Sequence, residues 1–162
     1  MIHVSNDPRY YAWIQKQLGY TYDPNLSMMV VSETPHAGIK ACVVLYNYIP
    51  SERRLDWAMA SNTKRWATCE MAACLIETIF KHLNVHRLQA YTNEPEAIEM
   101  LLKFGFKLDT NLTDWFGPGK DAGLYSLLST DLGNTQFWEY AKMYYDKIYH
   151  PKNSAPRSEG LN

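Results

Sequence analysis

The 162-residue sequence predicts an α+β domain, and three observations carry that prediction. Three β-like runs follow one another with only tight turns between them across residues 27–60. After Ser61 the apolar spacing changes from a strand pattern to a helical period. Beyond that point, strand-like and helix-like segments alternate. A meander followed by β-α-β-α-β-β fits one mixed sheet flanked by helices, with an added C-terminal helix.

Asp7-Pro8 opens the first helix, Pro8 to Leu18, with Asp7 as cap, Pro at the first helical position and Gly19 as stop. Ser27 to Glu33 (SMMVVSE) is β-like, and Thr34-Pro-His-Ala-Gly38 is turn chemistry. Ile39 to Ile49 (IKACVVLYNYI) is rich in β-branched and aromatic residues and predicts a second strand. Pro50-Ser-Glu-Arg53 then turns the chain into a third, Arg54 to Ala60.

Ala72, Leu75, Ile76, Ile79 and Leu83 fall at i, i+3, i+4, i+7 and i+11, one face of a long helix that Asn84 ends. His86 to Thr92 (HRLQAYT) predicts another strand. The unit from Arg54 to Thr92 implies a right-handed crossover between parallel strands. Asn93-Glu-Pro-Glu96 reads as a capping box with Asn93 as N-cap. The helix it starts turns Ile98, Leu101 and Leu102 inward, and Gly105 stops it. Phe106 to Thr110 and Gly123 to Ser129 are the expected closing strands, with a long loop from Asn111 to Ala122. Asn134 to Tyr149 reads as the added helix. Its aromatic face is Phe137, Tyr140, Ala141, Tyr144, Tyr145 and Ile148, expected to pack on the chain's own sheet or to form a dimer contact. Pro151 to Asn162 is polar and expected to be a disordered tail. The expected organisation is therefore a main domain over 1–133, a C-terminal helix over 134–150 and a tail over 151–162.

Apolar residues make up 46% of the chain, enough for a real core. The net charge of −1 offers no basic excess for holding nucleic acid. Cys42, Cys69 and Cys74 are odd in number and irregularly spaced, so neither a disulfide framework nor a metal site is expected. The N-terminus lacks a signal-peptide pattern and no run is long enough to span a bilayer, so the expected setting is cytoplasmic.

The segment WATCEMAACLIETIFKHLNVHRLQAYTNEPEAIEMLLKFGF carries a family resemblance. Phe80 followed by Val85-His86-Arg87-Leu88, Asn93 with Ala97 and Gly105-Phe106, and Asp121 with Leu124-Tyr125-Ser126-Leu127-Leu128 match signatures of one superfamily. The chain resembles the GNAT superfamily of N-acetyltransferases, most clearly from Asp56 to about Leu128, with the ribosomal-protein-alanine acetyltransferases as the subgroup. The resemblance implies acetyl-CoA as cofactor and a primary amine as acceptor: a protein N-terminus, a lysine or a small amine. It implies that two parallel strands splay to admit the pantetheine arm between them. Backbone at Trp57, Ala58 and Met59 would meet that arm. The loop Lys64, Arg65, Trp66, Ala67, Thr68 and Cys69 would meet the pyrophosphate, with Asn93 near the cofactor. A monomer or a homodimer is expected.

The loop departs from the family pattern. Relatives place glycines where this chain has Lys64 and Trp66, and an indole there could fill the phosphate site. Lys64 and Arg65 supply charge in exchange. Leu101 stands where many relatives carry an acidic Tyr, so Tyr125 (or Tyr91) is the candidate replacement. Asp56 is the candidate base, with Glu52, His36 and Asp121 as alternates. Trp57, Trp66 and Trp115 are candidates for an aromatic acceptor pocket, or else for core or interface packing, the commoner place for such residues. Cys69 is expected to be a small buried side chain. Two readings follow: an acyl-CoA-dependent N-acetyltransferase, or a non-catalytic accessory protein on the same scaffold, cellular or viral, that works by binding a partner.

Overall fold

The computed structural model describes residues 1–151, so all of the expected tail but Pro151 lies outside the described residues. A short N-terminal strand, Ile2–Ser5 (β1), precedes the first helix, Pro8–Leu18 (α1). The Asp7 side chain accepts from the Arg9 amide, Pro8 occupies the first turn, and Gly19 closes the helix at φ 75°. The meander is Ser27–Thr34 (β2), Gly38–Ile49 (β3) and Arg54–Ser61 (β4). The central helix starts at Cys69–Leu75 (α2) and continues as a π-helical stretch over Ile76–His82, where the Leu83 amide bonds back to the Thr78 carbonyl. Arg87–Thr92 (β5), Pro95–Lys103 (α3), Lys107–Leu112 (β6), Ala122–Leu128 (β7) and Gln136–Tyr149 (α4) complete the order.

The seven strands form one mixed sheet in the order β1-β2-β3-β4-β5-β7-β6. All neighbours are antiparallel except β4 and β5, which run parallel. Strand alternation divides the sheet into two apolar faces. One buries Val43, Leu45, Leu55, Leu88 and Leu127 with Met71, Leu75 and Ile79 of the central helix. The other buries Met29, Val31, Cys42 and Val44 with Tyr10, Tyr11 and Ile14 of α1.

Four expectations need correction. β1 is not among the expected strands because IHVS, although it alternates apolar and polar residues, does so over only four positions. The N-cap of α3 is Glu94, not Asn93, and no side chain caps the helix; Pro95 holds the first turn. Leu102 is 53% exposed, whereas Leu101 is buried. On α4, Trp138, Ala141 and Tyr145 face inward, while Tyr140 and Ile148 are largely exposed.

The ends of α3 and α4 lock together. Gly105 at φ 86° lets its own amide reach the Leu102 carbonyl and the Phe106 amide reach the Leu101 carbonyl. Trp138 Nε1 donates to the Phe104 carbonyl at 2.6 Å, and Phe137 stacks on the Phe104 ring at 4.2 Å. Along the same helix, the Tyr145 hydroxyl donates to Glu77 Oε2 in the π-helical stretch at 2.6 Å.

Two substitutions test this junction. Gly105→Ala would force a left-handed alanine and bring its Cβ to 2.6 Å from Thr135 Cγ2. It should cost at least about 1 kcal/mol in urea unfolding. Trp138→Ala should cost about 3–5 kcal/mol in the same measurement, the range for emptying a buried aromatic position.

Candidate functional site

The parallel pair β4–β5 is the shortest ladder at the sheet centre. It joins Arg54 to Arg87, Leu55 to Leu88 and Asp56 to Gln89, and there it stops. β4 runs on to Ser61 and β5 to Thr92, each still paired on its outer side. Between Trp57–Ser61 and Ala90–Thr92 the two strands therefore part, and their facing edges carry backbone groups outside any ladder. Such an edge can accept an extended ligand as an added strand.

Past the open end of β4, the loop from Asn62 to Thr68 leads into α2. The Asn62 amide and side chain fasten it to the Lys40 and Ile39 carbonyls. Thr68 caps α2, its Oγ1 accepting from the Met71 amide at 3.2 Å. No residue of this loop has positive φ; among the described residues the non-glycine positions that do are Asn47, Arg53, Asn84 and Asp114. The backbone path therefore does not require glycine. Trp66 is buried, with its ring edge-on to Phe104 at 5.8 Å, so the indole points into the core. Lys64, Arg65, Thr68 and Cys69 are exposed and Ala67 is half-buried. The exposed Cys69 corrects the expectation of a buried thiol. Asn93 is exposed just beyond the end of β5.

Asp56, the last residue of the parallel ladder, is only 6% exposed and lies on the α1 face of the sheet. Asn47 Nδ2 donates to its Oδ2 at 3.1 Å. Asn47 sits at an irregularity in β3 with φ 51°, a conformation asparagine tolerates better than most residues. Gln89, with its amide oriented to satisfy both neighbours, donates to Asp56 Oδ1 at 3.3 Å and accepts from Arg87 Nε at 2.9 Å. Arg87 also pairs with Asp109, and Arg54 with Glu52 at 3.3 Å. Burial pushes the Asp56 carboxyl above the ordinary aspartate range, against the Asn47 hydrogen bond and the Arg54 charge. The Tyr91 phenol lies beside the same carboxylate, and burial and that charge push it up as well.

Aromatic rings continue from Asp56 outward. Tyr91 stacks on Trp115 at 4.9 Å and 13°. Tyr46, opposite Asp56 in the β3–β4 ladder, packs against Tyr22 at 5.1 Å. Tyr20 meets Phe116 at 6.3 Å. The β6–β7 loop presents Trp115 through two carboxylate–amide bonds: Gly119 N donates to Asp114 Oδ1 at 2.6 Å, and Asp114 N to Asp121 Oδ1 at 2.9 Å.

The structure does not bring together the two expected catalytic side chains. Tyr125 is buried on the opposite face from Asp56, its ring lying across Gly123. It is a packing residue there. The expected tryptophan pocket is also corrected. Trp57 is in the core, stacked on Phe106 at 5.3 Å, and Trp66 is buried against Phe104, leaving only Trp115 near the open surface. Gln89 and Asn47 were missed. The signal for Gln89 was its alternation with Leu88 and Ala90, which sets it on the face of Asp56. Among the described residues, no helix is long and apolar enough to cross a membrane, and no group of three or more His, Cys, Asp or Glu side chains converges as a metal site.

The upward shift of Asp56 has a definite sign. A carboxyl whose folded pKa exceeds its unfolded value loses stability as pH rises through the interval between them. Asp56→Asn is therefore expected to melt above the parent at pH 7, with the difference shrinking on acidification. Thermal unfolding of both proteins across pH 3–8 checks this; a pH-independent difference would contradict it.

No protein-family model matches the chain, and no curated protein matches it in sequence. Solved structures do. A spermidine/spermine N-acetyltransferase from Vibrio cholerae, determined with manganese ions, superposes with a TM-score of 0.67 at 15% identity, covering 83% of this chain and 95% of that one. A dodecameric spermidine N-acetyltransferase from the same organism gives 0.64 at 14% identity, covering 80% and 95%. A chimeric spermidine N-acetyltransferase built on the Vibrio cholerae enzyme gives 0.66 at 15%, covering 81% and 98%. The mixed sheet with its flanking helices is thus the GNAT fold.

Proposed function

We propose that the protein is an acetyl-CoA-dependent N-acetyltransferase acting on a primary amine. The observation that carries this reading is the end of the parallel ladder at Asp56, where a strand gap and a desolvated carboxylate adjoin. The three structural neighbours described above, each named a spermidine N-acetyltransferase or spermidine/spermine N-acetyltransferase, support it.

The site's residues fit the cofactor. The unladdered edge of β4 at Trp57, Ala58 and Met59 would hold an extended amide-bearing arm. The loop and the first turn of α2, from Lys64 to Cys69, would hold a diphosphate through two exposed cationic side chains and backbone amides other than those of Arg65 and Thr68, which donate within the loop. Trp66 packs into the core and leaves that loop unobstructed by its ring. Asn93 stands at the far end of β5. When bound, acetyl-CoA supplies an activated thioester carbonyl. Ionised Asp56 binds the acceptor's ammonium and takes up the proton that must leave before nitrogen can attack. Asn47 and Gln89 hold the carboxylate in place for that exchange. Leu101 offers no proton to the departing thiolate. A thiol of ordinary pKa near ~8.5 leaves as the thiolate without one.

Saturating CoA should raise the melting temperature, equivalent to about 2.7 kcal/mol at a hundredfold excess over Kd. Charge reversal of Lys64 and Arg65 together should weaken that binding at least tenfold while leaving the melting point of the free protein in place. Absence of any CoA-dependent shift in the parent would remove the proposal. Asp56→Asn should lower the rate of acetyl transfer by about 10²–10⁴-fold, the usual worth of a placed base. The acidic limb of the parent's kcat/KM profile should lie above the ordinary aspartate pKa of ~3.9, activity rising as Asp56 loses its proton.

A further inference from the structure

Resting on the transferase reading, we propose that Tyr46, Tyr91 and Trp115 beside Asp56 form an acceptor site for a single ammonium carried on an aromatic body, an arylalkylamine, and not for a polyamine. Asp56 is a buried carboxylate in no direct ion pair: its hydrogen-bond contacts are Asn47, Gln89 and the neighbouring Tyr91 phenol, and the Arg54 charge acts on it without a salt bridge. The cations closest in sequence to the site already have carboxylate partners, Arg54 in Glu52 and Arg87 in Asp109. One further positive charge therefore suits the site.

A second one does not. Polyamines carry ammonium groups several bonds apart, each needing its own acceptor. Of the other carboxylates of this region, Glu52 and Asp109 are paired with arginines, while Asp114 and Asp121 each accept a loop amide that fixes the loop without neutralising them. Arg54 and Arg87 stand on the same side of the sheet and oppose additional positive charge.

The body of the acceptor meets rings. Trp115 is 51% exposed yet rigidly presented, on a loop with Asp114 held at φ 54° and two carboxylate–amide bonds fixing its shape. Its inner face is taken by Tyr91, leaving its outer face and edge to solvent. Tyr46 and Tyr22 add half-buried rings opposite Asp56. Indole and phenol rings attract both a cation and another aromatic ring. A cavity of about 170 Å³ lined by Ile2, Glu70, Ala73, Cys74, Ile148 and Tyr149 lies on the other face, where the carboxylate, Glu70, is exposed and not buried like Asp56.

Calorimetric titration of the free protein with phenethylamine, propylamine and spermidine near neutral pH tests the proposal. Phenethylamine should bind about tenfold more tightly than either of the others. Trp115→Ala should reduce phenethylamine to the level of propylamine, and Trp115→Phe should restore most of the difference. Because Trp115 is half exposed, both variants should keep the parent melting temperature. Spermidine binding as tightly as phenethylamine, or phenethylamine binding unaffected by Trp115→Ala, would overturn the inference. Acetyl transfer to the same amines separates the two readings. Transfer that favours spermidine sinks the arylalkylamine site and keeps the transferase. Phenethylamine binding with no transfer to any amine keeps the site and sinks the transferase.

Discussion

Three residue pairs of parallel ladder hold the middle of this sheet together, and everything at the site follows from where they stop. β4 and β5 are each bound tightly on their outer sides, by β3 and β7. The sheet can therefore open between them without coming apart. The break leaves unladdered backbone along two strand ends, which in a folded protein is a standing invitation to a ligand. It also fixes the position of Asp56, whose side chain projects from the last rung.

That carboxylate is costly to bury, and the surrounding residues show how the cost is met. An asparagine in a left-handed conformation donates from β3, and a glutamine bridges it to Arg87. Neither arrangement supplies a full counter-charge. A charge held by hydrogen-bond dipoles and a cation outside salt-bridge distance stays available to an incoming ammonium, which a direct salt bridge would not allow. The raised pKa and the chemical availability of Asp56 have the same origin.

Much of this was legible in the sequence. Asp7, Pro8 and Gly19 specify α1 through local chemistry alone, and the chain follows them. The change of period at Ser61 marks the step from meander to central helix, and Gly105 ends α3 where its φ requires glycine. What was illegible depended on partners remote in sequence. β1 exists because β2 offers it an edge. Asn93 lost the cap to Glu94 because Pro95 sets the first turn. Trp66 looked like an obstruction only because Phe104, its packing partner, lies thirty-eight positions on. Asp56 was identifiable as a candidate, but its separation from Tyr125 by the thickness of the sheet rests on strand register, which composition does not encode.

The Phe104 ring is a shared bearing point. Trp66 leans on it from the loop after β4, Phe137 and Trp138 from the C-terminal helix, and the carbonyl behind it is held by the Trp138 indole. The shape of a loop in the middle of the chain is thereby braced by residues near its end. Shortening the protein from its C-terminus would act at a distance, slackening the cradle at Lys64 and Arg65 without removing a single residue from it.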